Sequence, residues 1–485
     1  MQSPALPVWA VRSLAGLLSP ATLFAVLSIL FGTLILAVTP PLRGPDETAH
    51  FLRAYGIAQG DVVPSLRDAQ NRKGIMMPAP LFAGFGYFER VRVSEKKPGF
   101  GYGRVFADYR AFPDDHARRP AATTGSAKLS TPTTFVRYEG SEGYSPAAYL
   151  PHVAAALVAR ATGLDFLQTF YLMRFAGLIG MTAVIAWAIT LAGPLGWAFF
   201  AIAMLPAAIY GRSVINADGA ALAFAMLTAA LFLRPLQNAG ILTRAATLLL
   251  SALSKPANLA FILLEVLRPI PARLHLRIAL VAVVVLPAVA VTMIWVALGG
   301  DDAAGWRLAE LTGVNPQEFN PGWKLRHMLA NPLDFPQAVI GWLTIRNYPE
   351  FGRQIVGVLG LFDTVLRSWV YPLVAVLTLI PFVVRVGYSR SERIRLAAGA
   401  VIAALAYCFT VFLIFYLIWT PVSANEVWGV QGRYLVPMLP LIAIAVAALI
   451  DRAPDLRVTS LAAVAAAVIS SAASVEAILR ADWNF

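Results

Sequence analysis

Residues 279–298 read ALVAVVVLPAVAVTMIWVAL and contain no charged side chain. A helix rises about 1.5 Å per residue, so this stretch is long enough to cross the roughly 30 Å hydrocarbon core of a bilayer. Comparable apolar runs lie at 21–38 and 396–418. No soluble fold explains several such runs in one chain. The sequence therefore predicts an all-α polytopic membrane protein.

The composition of the whole chain supports the same class. Of its 485 residues, 58% are hydrophobic and 14% are charged, whereas soluble proteins carry roughly 25% charged residues. In a soluble protein the net charge of +12 would suggest a nucleic-acid partner. In a membrane protein, basic residues collect in cytoplasmic loops beside anionic headgroups, so the expected partner is the lipid bilayer and not nucleic acid. The single cysteine, Cys408, allows no intrachain disulfide.

Hydropathy divides the chain into eleven predicted transmembrane spans. A polar stretch at 40–173 follows the first span, and a second polar stretch occupies 300–367. The chain is thus expected to be one polytopic domain, 1–485, with two large loops. The predicted spans are 17–39, 174–193, 196–211, 215–233, 243–254, 257–267, 277–299, 368–387, 395–419, 433–450 and 458–479.

Three segments need a separate interpretation. The first span is longer than the 7–15-residue core of a signal peptide, so it is interpreted as a retained helix. Residues 147–161 are interpreted as a helix along the membrane interface, because that choice gives the better charge topology. Two short spans flank the turn Ser254-Lys255-Pro256 and indicate two half-length helices that meet near one membrane face.

Basic residues in the short loops predict the orientation. An N-terminus in the cytoplasm places most of them on the cytoplasmic side of a bacterial inner membrane. Both large loops and the C-terminus are then extracytoplasmic, since long loops cross the membrane regardless of their charge. The predicted cytoplasmic basic residues are Arg12, Arg234, Arg244, Arg268, Arg273, Arg277, Arg385, Arg390, Arg393, Arg395, Arg452 and Arg457.

The first large loop opens with the motif PPLRGPDETAHF at 40–51. Proline followed by Asp46 and Glu47 predicts the start of a helix, where acidic side chains suit the positive end of the helix dipole. His50 and Arg53 fall on the same helix face as Asp46, beside an apolar stripe. The helix is expected to lie flat on the bilayer with its polar groups in a cleft. A plain helix cap is the competing interpretation. The apolar stripe consists of Phe51, Tyr55 and Ala58.

Four further motifs place polar side chains at the outer ends of predicted spans. Polar groups so close to hydrocarbon are costly and usually face a cavity, and lysine or arginine there can bind phosphate. Aromatic belts, helix caps and snorkelling are the competing interpretations. The motifs are YSPAAYLPH at 144–152, RSVINAD at 212–218, SKP at 254–256 and QGRYLVP at 431–437, where the glycine allows close backbone approach.

Several common catalytic signatures are absent from the sequence. It has no Walker-type phosphate loop, no H-E-x-x-H metal motif and no G-x-S-x-G elbow. The glycines at 99–103 are not framed by a strand and a helix, so they do not indicate a dinucleotide site. Cytoplasmic ATP therefore has no visible entry point.

In their order and spacing, these motifs resemble a bacterial family of predicted membrane proteins known only as domain of unknown function 2142. The resemblance covers roughly 20–450. That family is in turn similar to the C-type glycosyltransferases, which have a large first loop with flat helices and an acidic residue at its start. These enzymes use polyprenyl-phosphate-linked sugar donors. The resemblance implies such a donor and a cell-envelope glycan or lipid as the acceptor.

The resemblance also implies roles for individual residues. Asp46 or Glu47 would be the base that removes the acceptor proton, and the other, with His50, would hold the acceptor or a divalent cation, Mg²⁺ or Mn²⁺. A tight D-x-D metal motif is absent. Lys255, Arg433 and Arg212 would bind the donor phosphate. The expected substrate-pocket residues are Arg53, Tyr144, Asn216, Asp218, Gln431 and Tyr434.

Two other functions compete with sugar transfer. The first is a transporter or flippase for lipid-linked or anionic solutes, which the paired short helices around Lys255 would suit. The second is a non-catalytic component of an envelope polysaccharide assembly complex, because a fold does not fix a function.

Overall fold

The computed structural model describes residues 19–94, 101–111, 133–234, 240–267, 273–299, 303–345, 347–453 and 455–485. Arg12 and Arg268 of the predicted cytoplasmic residues lie outside these ranges, as do two of the glycine-run positions, 99 and 100. Within the described residues the chain is mostly helical, with two small antiparallel sheets in the loops.

The first helix leads directly into the first large loop. Ser19 caps it by accepting a hydrogen bond from the Thr22 amide at 3.2 Å. Strands β1 and β2 pair antiparallel, with Gly74 opposite Arg137 and Pro78 opposite Thr133. The elements are α1 (Pro20–Val38), α2 (Glu47–Ala58), β1 (Gly74–Pro78), α3 (Ala79–Ser94), α4 (Tyr102–Ala111), β2 (Thr133–Arg137), a 3₁₀ turn (Pro146–Tyr149) and α5 (Leu150–Thr162).

In the middle of the chain, two apolar helices of 26 residues flank five shorter ones. A capping box formed by Asp165 and Gln168 starts α6. The elements are α6 (Phe166–Leu191), a 3₁₀ turn (Gly193–Leu195), α7 (Gly196–Ala203), α8 (Pro206–Ser213), α9 (Asp218–Phe232), α10 (Ile241–Ser254), a 3₁₀ segment (Pro256–Phe261), α11 (Ile262–Leu267) and α12 (Leu274–Gly299).

The second large loop is helical before it returns to the membrane. Its elements are α13 (Ala303–Thr312), a 3₁₀ turn (Pro316–Phe319), α14 (Pro321–Ala330), α15 (Asp334–Ile345), α16 (Tyr348–Val356), and a short hairpin of β3 (Val358–Leu359) and β4 (Thr364–Val365). The remaining elements are α17 (Val370–Leu379), a 3₁₀ turn (Ile380–Phe382), α18 (Arg390–Trp419), a 3₁₀ segment (Gly432–Met438), α19 (Leu439–Ile450) and α20 (Leu456–Asp482).

The prediction of an all-α polytopic membrane protein is confirmed. Six helices of the described residues are long and apolar enough to cross a membrane, and one bent pair would make a seventh. The predicted spans at 215–233, 243–254, 257–267 and 368–387 correspond to shorter apolar helices of 10–17 residues. All eleven predicted segments are therefore apolar helices, but fewer than eleven are full-length spans.

The span predicted at 196–211 is broken. Helices α7 and α8 meet at an angle of 73°, because Pro206 cannot continue a regular helix. The buried Arg212 donates to the carbonyl of Ala203 at 2.7 Å and to that of Ala208 at 2.9 Å. It also donates to the Ser28 hydroxyl at 3.1 Å. A cation suits the negative end of α7, so Arg212 stabilises the bend.

The first large loop has a core of its own that surrounds α2. All twelve residues of α2 are buried. The ring of Phe51 packs against those of Phe85, Phe166 and Phe170 at centroid distances of 5.5 to 6.0 Å. The expected apolar stripe is thus buried, but protein side chains cover the helix on every face. This differs from the expectation that α2 lies flat on the bilayer.

Candidate functional site

Asp46 occupies the position before the first residue of α2. Its backbone is left-handed, with φ of 52°, and its side chain makes no capping hydrogen bond. Aspartate tolerates this conformation better than most residues. The side chain is 66% exposed and accepts a hydrogen bond from Arg433 at 3.0 Å. The carboxylate is therefore presented to the outside of the helix instead of serving as its cap.

Four charges from four separate segments alternate in sign around this carboxylate. Arg433 lies between Asp46, at 3.0 Å, and Asp218, at 3.6 Å. Asp218 also pairs with the ammonium group of Lys255 at 2.5 Å. We call Asp46, Arg433, Asp218 and Lys255 the charge chain. Its formal charges sum to zero, because each cation is matched by a carboxylate.

Aromatic rings enclose the cations of the charge chain. The ammonium of Lys255 lies 4.3 Å from the ring centroid of Tyr434. The guanidinium of Arg433 lies 4.9 Å from the same centroid and 4.6 Å from that of Phe362. Arg433 also donates to the Tyr434 hydroxyl at 3.0 Å. Ring faces attract cations, so the two basic groups are held in place without being fully neutralised by one partner.

Phe362 is a contact that the sequence did not predict. It lies in the β3–β4 hairpin with φ of 69°, and no motif singles it out. The neighbouring Asp363 accepts from Arg43 at 2.9 Å, and Arg43 also donates to Asp482 in α20 at 2.9 Å. Arg43 thus joins the start of the first loop, the hairpin of the second loop and the end of α20.

The 3₁₀ segment Gly432–Met438, which precedes α19, packs closely against the second loop because residue 432 is glycine. A Cβ atom on Gly432 would lie 2.5 Å from the carbonyl oxygen of Phe351. The Gly432 amide donates to the Gln354 side chain at 2.9 Å. The sequence-based expectation of a close backbone approach at this glycine is confirmed, and the approach positions Arg433 beside the second loop.

His50 lies behind Asp46 and is buried. Its Nδ1 is 2.5 Å from the Tyr149 hydroxyl, and its ring is 5.3 Å from that of Tyr144. Burial lowers the pKa of His50 to about 4, although the nearby carboxylates of Asp46 and Asp218 oppose the shift. The imidazole is therefore neutral at neutral pH and contributes hydrogen bonding but no charge.

The pKa of Asp46 reflects a balance between burial and charge. Desolvation by its surroundings raises this pKa, but the charge and the hydrogen bond of Arg433 outweigh that effect and hold it below the usual value. Asp46 is accordingly ionised at neutral pH. Any group that competes for Arg433 would weaken this effect and raise the basicity of the carboxylate.

Glu47 faces the opposite way from Asp46. Both residues of its ion pair with Arg174 are fully buried. The carboxylate accepts from Arg174 at 2.7 and 2.8 Å and from the amides of Gly44 and Ile215 at 2.9 Å. Arg174 further donates to the carbonyls of Thr39 and Pro40. This ion pair joins the first loop to α6 and leaves Glu47 no lone pair directed toward the charge chain.

Comparison with protein families identifies the chain. The family model described as predicted membrane protein (DUF2142) matches residues 29–442. The chain belongs to this family. No curated protein matches it, and no solved structure does. The resemblance found in the motifs is thus confirmed for the family, whose description names a membrane location and no activity.

In this DUF2142 protein, two other predicted site residues contact groups outside the charge chain. Arg53 donates to the carbonyls of Tyr144, Asp61 and Val62 at 2.7 to 3.0 Å and so shapes the loop after α2. Arg212 is engaged at the bend between α7 and α8. Its expected part in phosphate binding therefore has no geometric support.

Asn216 and Gln431 each leave a polar atom available. The Asn216 oxygen accepts from the amides of Asp218 and Gly219 and caps α9. Across the described ranges, the Asn216 amide nitrogen and the Gln431 side-chain oxygen are buried without a hydrogen-bond partner. Such atoms are costly unless a ligand satisfies them.

Asn216 lines a cleft beside the charge chain. The empty space in and just outside this cleft is about 510 Å³, open solvent included, and the cleft itself has room for only a few water molecules. Asn216, Asp218 and Arg433 form the polar part of its lining. The other lining residues are Pro45, Ala207, Ala208, Tyr210, Gly211, Gly219, Leu222, Val358, Val436 and Pro437. The cleft is thus mostly apolar, with its charges on one side.

The same residues do not fit a divalent cation as they stand. Among the described residues, no three His, Cys, Asp or Glu side chains converge on one point. Asp46 pairs with Arg433, whereas Glu47 is bound to Arg174. The adjacent acidic residues are therefore separated, and the expectation of Mg²⁺ or Mn²⁺ stays a prediction without a ligand set.

Proposed function

We propose that this DUF2142 protein is a C-type membrane glycosyltransferase. It would move a hexose or pentose from a polyprenyl-phosphate-linked donor to an envelope glycan or lipid, at the outer face of the bacterial cytoplasmic membrane. The observation that carries this proposal is the pairing of the exposed Asp46 carboxylate with Arg433, next to Lys255. It supplies a base and two cations in one place.

The cations would stabilise the leaving group. When the bond between the anomeric carbon and the phosphate oxygen breaks, that oxygen keeps the electron pair and negative charge grows on the polyprenyl phosphate. Arg433 presents a planar fork of donors and Lys255 a compact ammonium, and both groups suit phosphate oxygens. Donors fixed where charge develops lower the barrier without reorganisation.

Asp46 would act on the acceptor. Its carboxylate takes the proton of the acceptor hydroxyl while that oxygen forms the new bond to the anomeric carbon. A general base needs hydrogen-bond reach to the proton it removes and a suitable pKa. In the resting protein Arg433 lowers the pKa of Asp46. A donor phosphate that shares Arg433 would raise it, so the base would strengthen when the donor is bound.

The cleft beside the charge chain suits a lipid-linked donor. Its lining is mostly apolar, with Asp218 and Arg433 on one side. An apolar wall can take the first isoprene units, and the buried amide nitrogen of Asn216 is available to an oxygen of the sugar or phosphate. The direct test is incorporation of labelled sugar from polyprenyl-phosphate donors into envelope polymers, with and without the gene. Equal incorporation in both strains would refute the proposal.

A transporter or flippase for lipid-linked or anionic solutes is the second candidate. The bent pair α7–α8 and the half-length helices that flank Lys255 favour it, because broken helices often carry transport sites. Loss of solute or lipid translocation with normal sugar transfer would support this candidate. A non-catalytic component of an envelope assembly complex would show neither activity alone.

Reporter fusions test the orientation on which both candidates depend. We expect fusions at Gln317 to report the outer side and fusions at Ser391 to report the cytoplasm, because long loops translocate and basic short loops do not. Both residues are exposed. Fusions near Ala121 and Gln237, positions outside the described residues, should report the outer side and the cytoplasm respectively. A cytoplasmic signal at Gln317 would contradict the proposed location of the site.

Variants of the two cations test donor binding. We expect Lys255→Ala and Arg433→Ala each to weaken donor use roughly ten- to a hundredfold, since a charge-assisted contact contributes about 1.5–3 kcal/mol. An equal loss in Arg433→Lys would indicate a bidentate contact. The measurement is the donor concentration dependence of sugar transfer by protein that elutes as a single folded species. Arg457→Ala, an exposed arginine at the opposite end of α20 from Asp482, is the control. Normal donor dependence in both alanine variants would remove these residues from the site.

A further inference from the structure

Helix α15 of the second large loop has an apolar surface on both sides. Phe335, Ala338 and Trp342 are buried against the protein. On the outward side, Ile340 and Leu343 are exposed, together with the uncharged polar side chains of Gln337 and Thr344. No residue from Phe335 to Ile345 carries a charge. A helix in an aqueous loop normally turns a polar face outward. The exposed isoleucine and leucine of α15 therefore indicate that its outward face does not lie in water.

The contacts of α15 with α18 show how far α15 lies from the end of that candidate membrane span. The ring of Phe335 lies 5.5 Å from that of Phe409, and the ring of Trp342 lies 4.9 Å from that of Phe412. Helix α18 is one of the six candidate spans and ends at Trp419. Phe409 precedes that end by about three turns, or roughly 15 Å along the helix. Helix α15 therefore lies beside the membrane-spanning part of α18 and not beyond its end.

The exposed side of α18 continues onto α15. Leu405 is 65% exposed and Phe409 is 56% exposed, as expected where a span faces lipid. Phe409 also touches Phe335 of α15. The outward face of α15 is thus continuous with the lipid-facing surface of a membrane span. Helix α14 and the turn after it add further exposed apolar residues, Leu325, Leu329 and Leu333.

Three of the charged or titratable side chains of α14 and α15 have partners within the protein. Lys324 is buried and donates to the Thr420 carbonyl at 2.7 Å, just after α18 ends. His327 pairs with Asp334 at 2.9 Å across the turn between α14 and α15. Arg326 of α14 is exposed, and its long side chain can carry the guanidinium to the membrane interface while its stem lies against apolar surface. The leucine and isoleucine side chains of α14 and α15 point outward.

We propose that α14 and α15 are embedded in the leaflet where α18 ends, so that the second large loop re-enters the membrane. The partner is the acyl chains of the bilayer. The residues that contact them are Leu329, Leu333, Ile340, Leu343 and Ile345. The inference rests on the contacts with α18 and does not depend on sugar transfer.

Spin labels in a lipid nanodisc that holds one copy of the full chain test this proposal. Single cysteines are introduced as Ile340→Cys and Leu329→Cys in a Cys408→Ala background. Leu405→Cys on α18 is the lipid-facing reference, and Ala69→Cys, exposed in the first loop, is the aqueous reference. Relaxation by oxygen, which concentrates in lipid, is compared with relaxation by a water-soluble nickel chelate. Leu343→Cys replaces any test variant that does not fold.

We expect labels at Ile340 and Leu329 to show the high oxygen and low nickel accessibility of Leu405. Nickel accessibility like that of Ala69 would mean that the helices lie in water and would overturn the proposal. Low accessibility to both reagents would mean that another part of the protein or a second chain covers the face, and it would overturn the proposal equally.

Discussion

Asp46→Asn is expected to insert and fold like the parent protein and to transfer sugar about a hundred- to ten-thousandfold more slowly, the range associated with loss of a general base. Asparagine has nearly the same shape as aspartate and accepts the left-handed backbone at this position at least as readily. The side chain makes no capping hydrogen bond that the change could break. The variant therefore removes basicity with little cost in stability.

The measurement is the single-turnover rate of sugar transfer per folded molecule, with donor saturating. Saturation matters because the change also removes a carboxylate from Arg433 and could strengthen donor binding. Added chelator in the same assay reports separately on the expected Mg²⁺ or Mn²⁺. A parental rate in Asp46→Asn would show that the carboxylate is structural, and the transferase proposal would lose its main support.

Glu47→Gln and Arg174→Met should each destabilise the protein by about 3–5 kcal/mol, because each leaves one charge of a fully buried ion pair without its partner. Glu47→Gln would also present an amide to the donors that now meet carboxylate oxygens, the amides of Gly44 and Ile215. Activity per folded molecule should change far less than in Asp46→Asn. A loss of stability in Glu47→Gln and a loss of rate in Asp46→Asn would assign Glu47 a structural role and Asp46 a chemical one.

The effect is measured by thermal unfolding in detergent of the parent protein, the two single variants and the double variant. The double variant should recover part of the stability, since it removes both buried charges together. The matched control is Glu350→Gln, whose partner Arg353 forms an exposed ion pair and should matter little. Unchanged thermal stability in Glu47→Gln would contradict the structural role of this residue.

The sequence anticipated which residues meet in the charge chain. Asp46, Asp218, Lys255 and Arg433 each stand at the end of an apolar segment, and segment ends on one side of a membrane lie at similar depth. That constraint brings residues far apart in the chain to one layer. It does not determine the direction of each side chain, and adjacent residues of a helix point about 100° apart. Glu47 was therefore grouped with Asp46, although it faces Arg174.

Two features of the structure were not predicted from the sequence, and each has a physical reason. The break at Pro206 lies inside a continuous apolar run, and hydropathy cannot distinguish a straight helix from a bent one. Arg212, placed near the site on that basis, is instead used to stabilise the bend. Arg174 stood at the predicted boundary of a span, yet helix α6 begins at Phe166. An arginine inside an apolar helix was the available signal for a buried ion pair.

The contacts of Arg43 also constrain the order in which the protein can be assembled. Its guanidinium binds Asp482, which lies 439 residues further along the chain, and ribosomes add about 5–20 residues per second. Asp482 is therefore synthesised roughly 20–90 s after Arg43. Until then Arg43 can pair with Asp363 of the β3–β4 hairpin, but the first loop and the hairpin are not yet joined to α20. The junction that joins the first loop, the β3–β4 hairpin and α20 through Arg43 is therefore completed only after α20 has been synthesised.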